Sequence, residues 1–143
     1  MPSDYIGKTL RQNVIARAGN RCEYCQSPDK YSTQSFVIEH ITPKVAGGKS
    51  VEENLAYACG GCNAHKYTKQ SGFDQILNQN VQIFNPRKGV WIEHFKWSYD
   101  LKEVIALSPI GRVTIKELNL NREELMNLRM LLELIGEHPP KTE

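Results

Sequence analysis

Two short cysteine pairs constrain this chain more than any other feature of it. They stand in RCEYC, as Cys22 and Cys25, and in CGGC, as Cys59 and Cys62, with 33 residues between them. All four cysteines of the chain are used. Each CxxC turn aims two sulfurs at one point, and two such turns close a tetrahedron around Zn²⁺. Four thiolates leave no open coordination position, so this zinc is expected to be structural rather than catalytic. A redox CxxC would sit in a βαβ context, which neither pair has. The opening MPSDYIGKTL lacks the apolar stretch of a secretory signal. It predicts a reducing, cytoplasmic compartment, where structural disulfides are rare.

The 33 residues between the pairs are too many for a bare zinc ribbon, so an insert of regular structure is expected there. Leu10, Val14, Ile15 and Ala18 have helical spacing, and Gly19-Asn20 stops them, which predicts a helix over 8–18 leading to Cys22. Residues 36–41 are aromatic and β-branched up to Pro43, which predicts a strand. A glycine-rich loop through Gly47-Gly48 runs to Asn54, and 55–58 form a second strand ending at Cys59. A helix is expected from Asn63 toward Gln70, ending at Ser71-Gly72. The result is a ββα unit too small to hold itself by a core, for which a metal staple is the usual remedy.

That order of elements gathers polar residues: Glu39 and His40 at the end of the first strand, Asn54 at the end of the loop, and Asn63, His65 and Lys66 early in the helix. The texts RCEYC, FVIEHITPKVAGG and ENLAYACGGCNAHK resemble the HNH endonuclease family over roughly residues 14–67. The resemblance implies an α+β chain: a zinc-stapled ββα-metal nuclease core over 1–72, with a small α+β extension over 73–143 packed on it. It implies His40 as general base and Asn54 as the residue that orients it through the backbone. It implies Glu39 and Asn63 as protein ligands of a catalytic divalent cation. Glu39 stands where the family more often has Asp, and Asn63 where many members have His.

The chemistry has its own logic. An imidazole with an ordinary pKa of about 6.5 takes a proton from water near neutral pH. A carboxylate and an amide are hard oxygen donors that leave room for waters and phosphate oxygens, which suits Mg²⁺ or another divalent cation. Adjacent strand residues point to opposite faces, so Glu39 and His40 are expected to address a scissile phosphate from two sides. Lys66, one helical turn after Asn63, and Lys44, beside Gly47-Gly48, are candidate phosphate contacts. The expected substrate is DNA, most simply double-stranded, with a homodimer as one route to cutting both strands. The competing expectation is a non-catalytic zinc module that binds nucleic acid or protein.

Charge and hydropathy bound these expectations. The net charge is only +2, with 24% charged residues, so any nucleic-acid contact must come from local placement of charge. No apolar run is long enough to span a membrane. The second half carries no catalytic pattern. Trp91, Glu93, Phe95 and Trp97 alternate, which predicts a strand with an aromatic face, paired with 103–107, and His94 is expected to face away from it. A short helix is expected over 110–118. Asn121 followed by Glu124 predicts a capped helix running to Ile135, with Leu125, Leu128, Leu132 and Ile135 buried. Arg87, Lys88, Arg112 and Lys116 are further candidates for contact with a DNA backbone.

Overall fold

A computed structural model describes residues 5–141. They fall into two units: one takes the chain up to Gln70 together with Asn85–Lys88, and the other takes Ser71–Phe84 and everything from Gly89 on.

In the first unit, helix α1 spans Lys8–Ala18 and stops at Gly19, whose left-handed φ of 65° lets its N–H turn back to cap the helix. Val14 is buried on its inner face. Arg17 crosses from its last turn to the carbonyl of Leu55, 2.6 Å away. Strand β1, Val37–His40, pairs antiparallel with β2, Leu55–Ala58, in the register Val37↔Ala58 to His40↔Leu55. All four residues of β2 are buried, and Phe36 packs its ring on Tyr57 at 5.3 Å. The 41–54 connection holds two single 3₁₀ turns, Lys44–Ala46 and Glu52–Asn54.

Helix α2 spans Gly60–Lys66. It begins three residues before the expected start, because Cys59 is its cap: the Cys59 sulfur accepts the N–H of Cys62. Asn63 therefore lies inside the helix, and the expected continuation to Gln70 gives way to a turn over 67–70 that leads into a strand.

That strand, β3 over Ser71–Asp74, opens the second unit and pairs with β4 over Gln79–Gln82. Sequence patterning did not anticipate this hairpin, whose outward residues are mostly polar. Helix α3, Trp91–His94, precedes β5, Phe95–Trp97, which pairs with β6, Val104–Ala106. The expected strand over 91–97 is thus half helix. Trp91 and Phe95 are four apart, a spacing that suits one face of a strand and one face of a helix alike. The aromatic cluster forms regardless, with Trp91 at 5.0 Å from Phe95 and 5.1 Å from Trp97. His94 does not face away: its ring lies 5.6 Å from Phe84, and its Nδ1 is 2.6 Å from the Ser108 hydroxyl.

Helix α4, Pro109–Leu118, is capped by Ser108. Helix α5, Glu123–Leu134, buries Leu125 and Leu132 but leaves Ile135 exposed. Asn121 does not cap α5. Its amide instead holds both the N–H and the carbonyl of Val104, at 2.7 and 2.9 Å. No helix among the described residues is long and apolar enough to cross a membrane.

Candidate functional site

The two cysteine turns meet as their spacing requires. The sulfurs of Cys22, Cys25, Cys59 and Cys62 all lie within 4.8 Å of one another, and all four side chains are buried. The Cys25 and Cys59 sulfurs are 3.7 Å apart. A tetrahedral ion with bonds of about 2.3 Å to sulfur sets its ligands about 3.8 Å apart, so the cluster is already sized for Zn²⁺. The N–H groups of Cys25 and Cys62 point at the Cys22 and Cys59 sulfurs, at 3.5 and 3.4 Å. Ser27 adds a contact of 2.8 Å to the Cys25 sulfur. Burial pushes the Cys22 thiol up, whereas hydrogen bonds from its three neighbours pull Cys59 down. Thiols crowded this closely cannot all ionise without a cation among them. The four cysteines fit a structural zinc. They are the one such group of metal-binding side chains among the described residues.

Around this centre, β1 delivers Glu39 and His40 to opposite faces: Glu39 is buried and His40 half-buried. The His40 Nε2 lies 2.8 Å from the hydroxyl of Ser50, in the loop that follows. That loop is folded back by Asn54. The Asn54 carbonyl oxygen accepts the N–H of Thr42 at 2.8 Å, and its amide donates to the carbonyls of Thr42 and Lys49, at 3.0 and 2.9 Å. The Asn54 main-chain carbonyl also accepts the N–H of Ile41 at 2.9 Å. Asn54 thus grips the two residues that follow His40. Gly48 makes the fold-back possible, because a Cβ there would sit 1.7 Å from the Thr42 carbonyl oxygen. Lys44 is exposed on this loop, Asn63 is half-buried on α2, and His65 is exposed.

Glu39 and Lys66 differ most from expectation. The Lys66 ammonium lies 3.1 Å from Glu39 Oε1, and the two side chains are only 2% and 4% exposed. The phenol of Tyr24 donates to the other carboxylate oxygen at 3.1 Å. Burial raises the pKa of Glu39, and Lys66 and Tyr24 work against that rise. The Lys66 ammonium is directed inward, toward Glu39 and the carbonyls at the end of β1. Tyr24 and Ser50 were not singled out from sequence. Nothing in a lone tyrosine between two cysteines, or in a loop serine, separates a site partner from a bystander.

Residues 22–69 match the family model for HNH endonuclease. This stretch of the chain is similar to HNH endonuclease domains. No curated protein and no solved structure matches it. The match begins at Cys22 and ends just after α2, so the matched stretch takes in the cysteine cluster, the hairpin and the polar cluster. HNH domains belong to nucleases, which act on nucleic acid in general. Three of the other expected DNA contacts are engaged within their own units, while Lys88 is exposed. Arg87 pairs with Glu23 beside the first zinc turn, Arg112 with Asp74, and Lys116 with the Phe73 carbonyl.

Proposed function

We propose that this protein is a metal-dependent endonuclease that hydrolyses phosphodiester bonds of DNA, with His40 as general base. The observation that carries the reading is the placement of His40. It stands at the open end of a zinc-rooted hairpin, half-exposed, with the following backbone fixed by Asn54. A base must hold its ring still while leaving access to water, and a strand-end residue braced on its far side meets both needs. The Ser50 hydroxyl fixes one ring nitrogen.

Glu39 and Asn63 are the residues that would hold a catalytic divalent cation. Bound there, Mg²⁺ or a similar ion would neutralise charge developing on the phosphate. The donors are hard oxygens, as such an ion prefers. Each Glu39 oxygen already has one protein partner, so the ion meets only the lone pairs that Lys66 and Tyr24 leave. Lys44, exposed on the 41–54 loop, is the candidate for contact with a neighbouring phosphate. A non-catalytic zinc module is the competing reading, and the engagement of Glu39 by Lys66 is the observation on its side.

Nicking of supercoiled plasmid, with Mg²⁺ added or omitted and zinc content held constant, separates the two readings. Cleavage should need the added ion and fall by about 10²–10⁴-fold in His40→Ala. Equal cleavage by wild type and His40→Ala would end the proposed mechanism.

A further inference from the structure

We propose that Lys66 is a positioning residue for His40: its buried ammonium grips the backbone at the end of β1 and sets where the imidazole stands. The inference rests on the nuclease reading above. It assigns Lys66 a task that a phosphate contact would not perform.

An ammonium has three N–H donors and no acceptor. Lys66 has three acceptors within reach: Glu39 Oε1 at 3.1 Å, the Ile41 carbonyl at 3.0 Å and the His40 carbonyl at 3.4 Å. All three belong to the last two residues of β1 and the residue after it, so the ammonium is satisfied by one short stretch of chain that includes the candidate base. Turning outward to a phosphate would take the counter-charge from a buried carboxylate and this donor from two carbonyls at once.

The grip has a rigid root. Lys66 is the last residue of α2, whose first turn is built on Cys59 and Cys62. A continuous path therefore runs from the metal cluster through α2 and the Lys66 side chain to the His40 carbonyl. Asn54 holds the same strand end from the next residues, on both polar groups of Thr42. Residues 40–42 are clamped twice, once by a charge and once by an amide.

The test is steady-state cleavage by wild type and Lys66→Met at several salt concentrations, with zinc content verified. A positioning role predicts that kcat falls roughly 10²-fold, the scale of a 1 Å misplacement. KM and its salt dependence should stay as in wild type. A phosphate contact predicts instead a raised KM and a log–log salt slope reduced by about one, with kcat kept; that result would overturn the proposal.

Should Lys66→Met fail to fold, the wild-type protein decides by NMR of the lysine ammonium groups. A slowly exchanging Lys66 ammonium, coupled to the Ile41 and His40 carbonyls, supports the grip. Exchange as fast as that of surface lysines refutes it. Absence of metal-dependent nicking in wild type, or its persistence in His40→Ala, is the separate sign that the nuclease reading has failed. The ammonium signal still decides whether Lys66 holds the strand end.

Discussion

At the scale of single residues, the structure turns on charges and amides removed from water. A carboxylate as buried as Glu39 needs a counter-charge, and Lys66 supplies it at 3.1 Å. Removing one partner of such a pair costs about 3–5 kcal/mol, while removing both is far milder. Urea titration of the zinc-loaded protein should therefore show a large loss in Lys66→Met and substantial recovery in the Glu39→Gln/Lys66→Met double variant. Losses that simply add would mean the two side chains are not coupled. Asn54 makes three side-chain hydrogen bonds that fold the 41–54 loop. At about 0.5–1.5 kcal/mol net for each, Asn54→Ala should lower stability by about 2–3 kcal/mol in the same titration. It should also slow any cleavage, because the residues after His40 lose their brace.

At the scale of elements, a metal ion on the four cysteines is what would let β1, β2 and α2 hold together. Four-residue strands and a seven-residue helix have little core to share. Structural zinc sites contribute roughly 10–16 kcal/mol of binding free energy at neutral pH, which in small domains is folding free energy. Cys59 matters twice, as a ligand and as the cap of α2. Cys59→Ser should abolish stoichiometric zinc and unfold 22–66 together, read as loss of amide protection across all three elements. Retained protection in β1 and β2 would show that the hairpin stands without its metal. In the second unit, β3 is tied to α4 by the two-pronged pairing of Asp74 with Arg112, at 2.8 and 3.0 Å. Those bonds, led by the Arg112 guanidinium, hold the Asp74 carboxyl down to about 2. A depressed carboxylate contributes stability above its ordinary pKa and loses it as pH falls toward the folded value. The second unit should therefore weaken from about pH 4 toward pH 2, and Asp74→Asn should flatten that acid limb of its denaturation curve.

At the scale of the whole molecule, two units with different sources of stability are expected to unfold as two events. One draws on a metal cluster, the other on the Trp91–Phe95–Trp97 cluster and the faces of α4 and α5. Calorimetry should show two transitions, and a zinc chelator should displace only one of them. A single transition that moves as a whole on chelation would show that the units fold as one. The net charge of +2 bears on this scale too. With so little net charge, any grip on nucleic acid must come from locally placed cations, and the slope of log affinity against log salt should count the phosphates they meet.

The sequence by itself determined what covalent spacing and local pattern govern. Two CxxC turns with all cysteines used imply one tetrahedral centre, because the turn fixes each sulfur pair before any folding. The β-branched run into Pro43, the Gly47-Gly48 loop and the short second strand defined the hairpin, and the quoted motifs carried the resemblance to the HNH endonuclease family. The tertiary structure alone decided where charge goes. Lys66 and Glu39 carry no local mark that distinguishes a surface pair from a buried one, since their burial depends on how α2 lies against β1. Asn121 reads as a helix cap, but Val104 offers its amide a better pair of partners from a distant strand. Trp91 to Trp97 follows a spacing shared by helix and strand, and only packing against Phe84 and its neighbours resolves it. Local rules set which elements form. Desolvation and long-range hydrogen bonding set which side chains they commit.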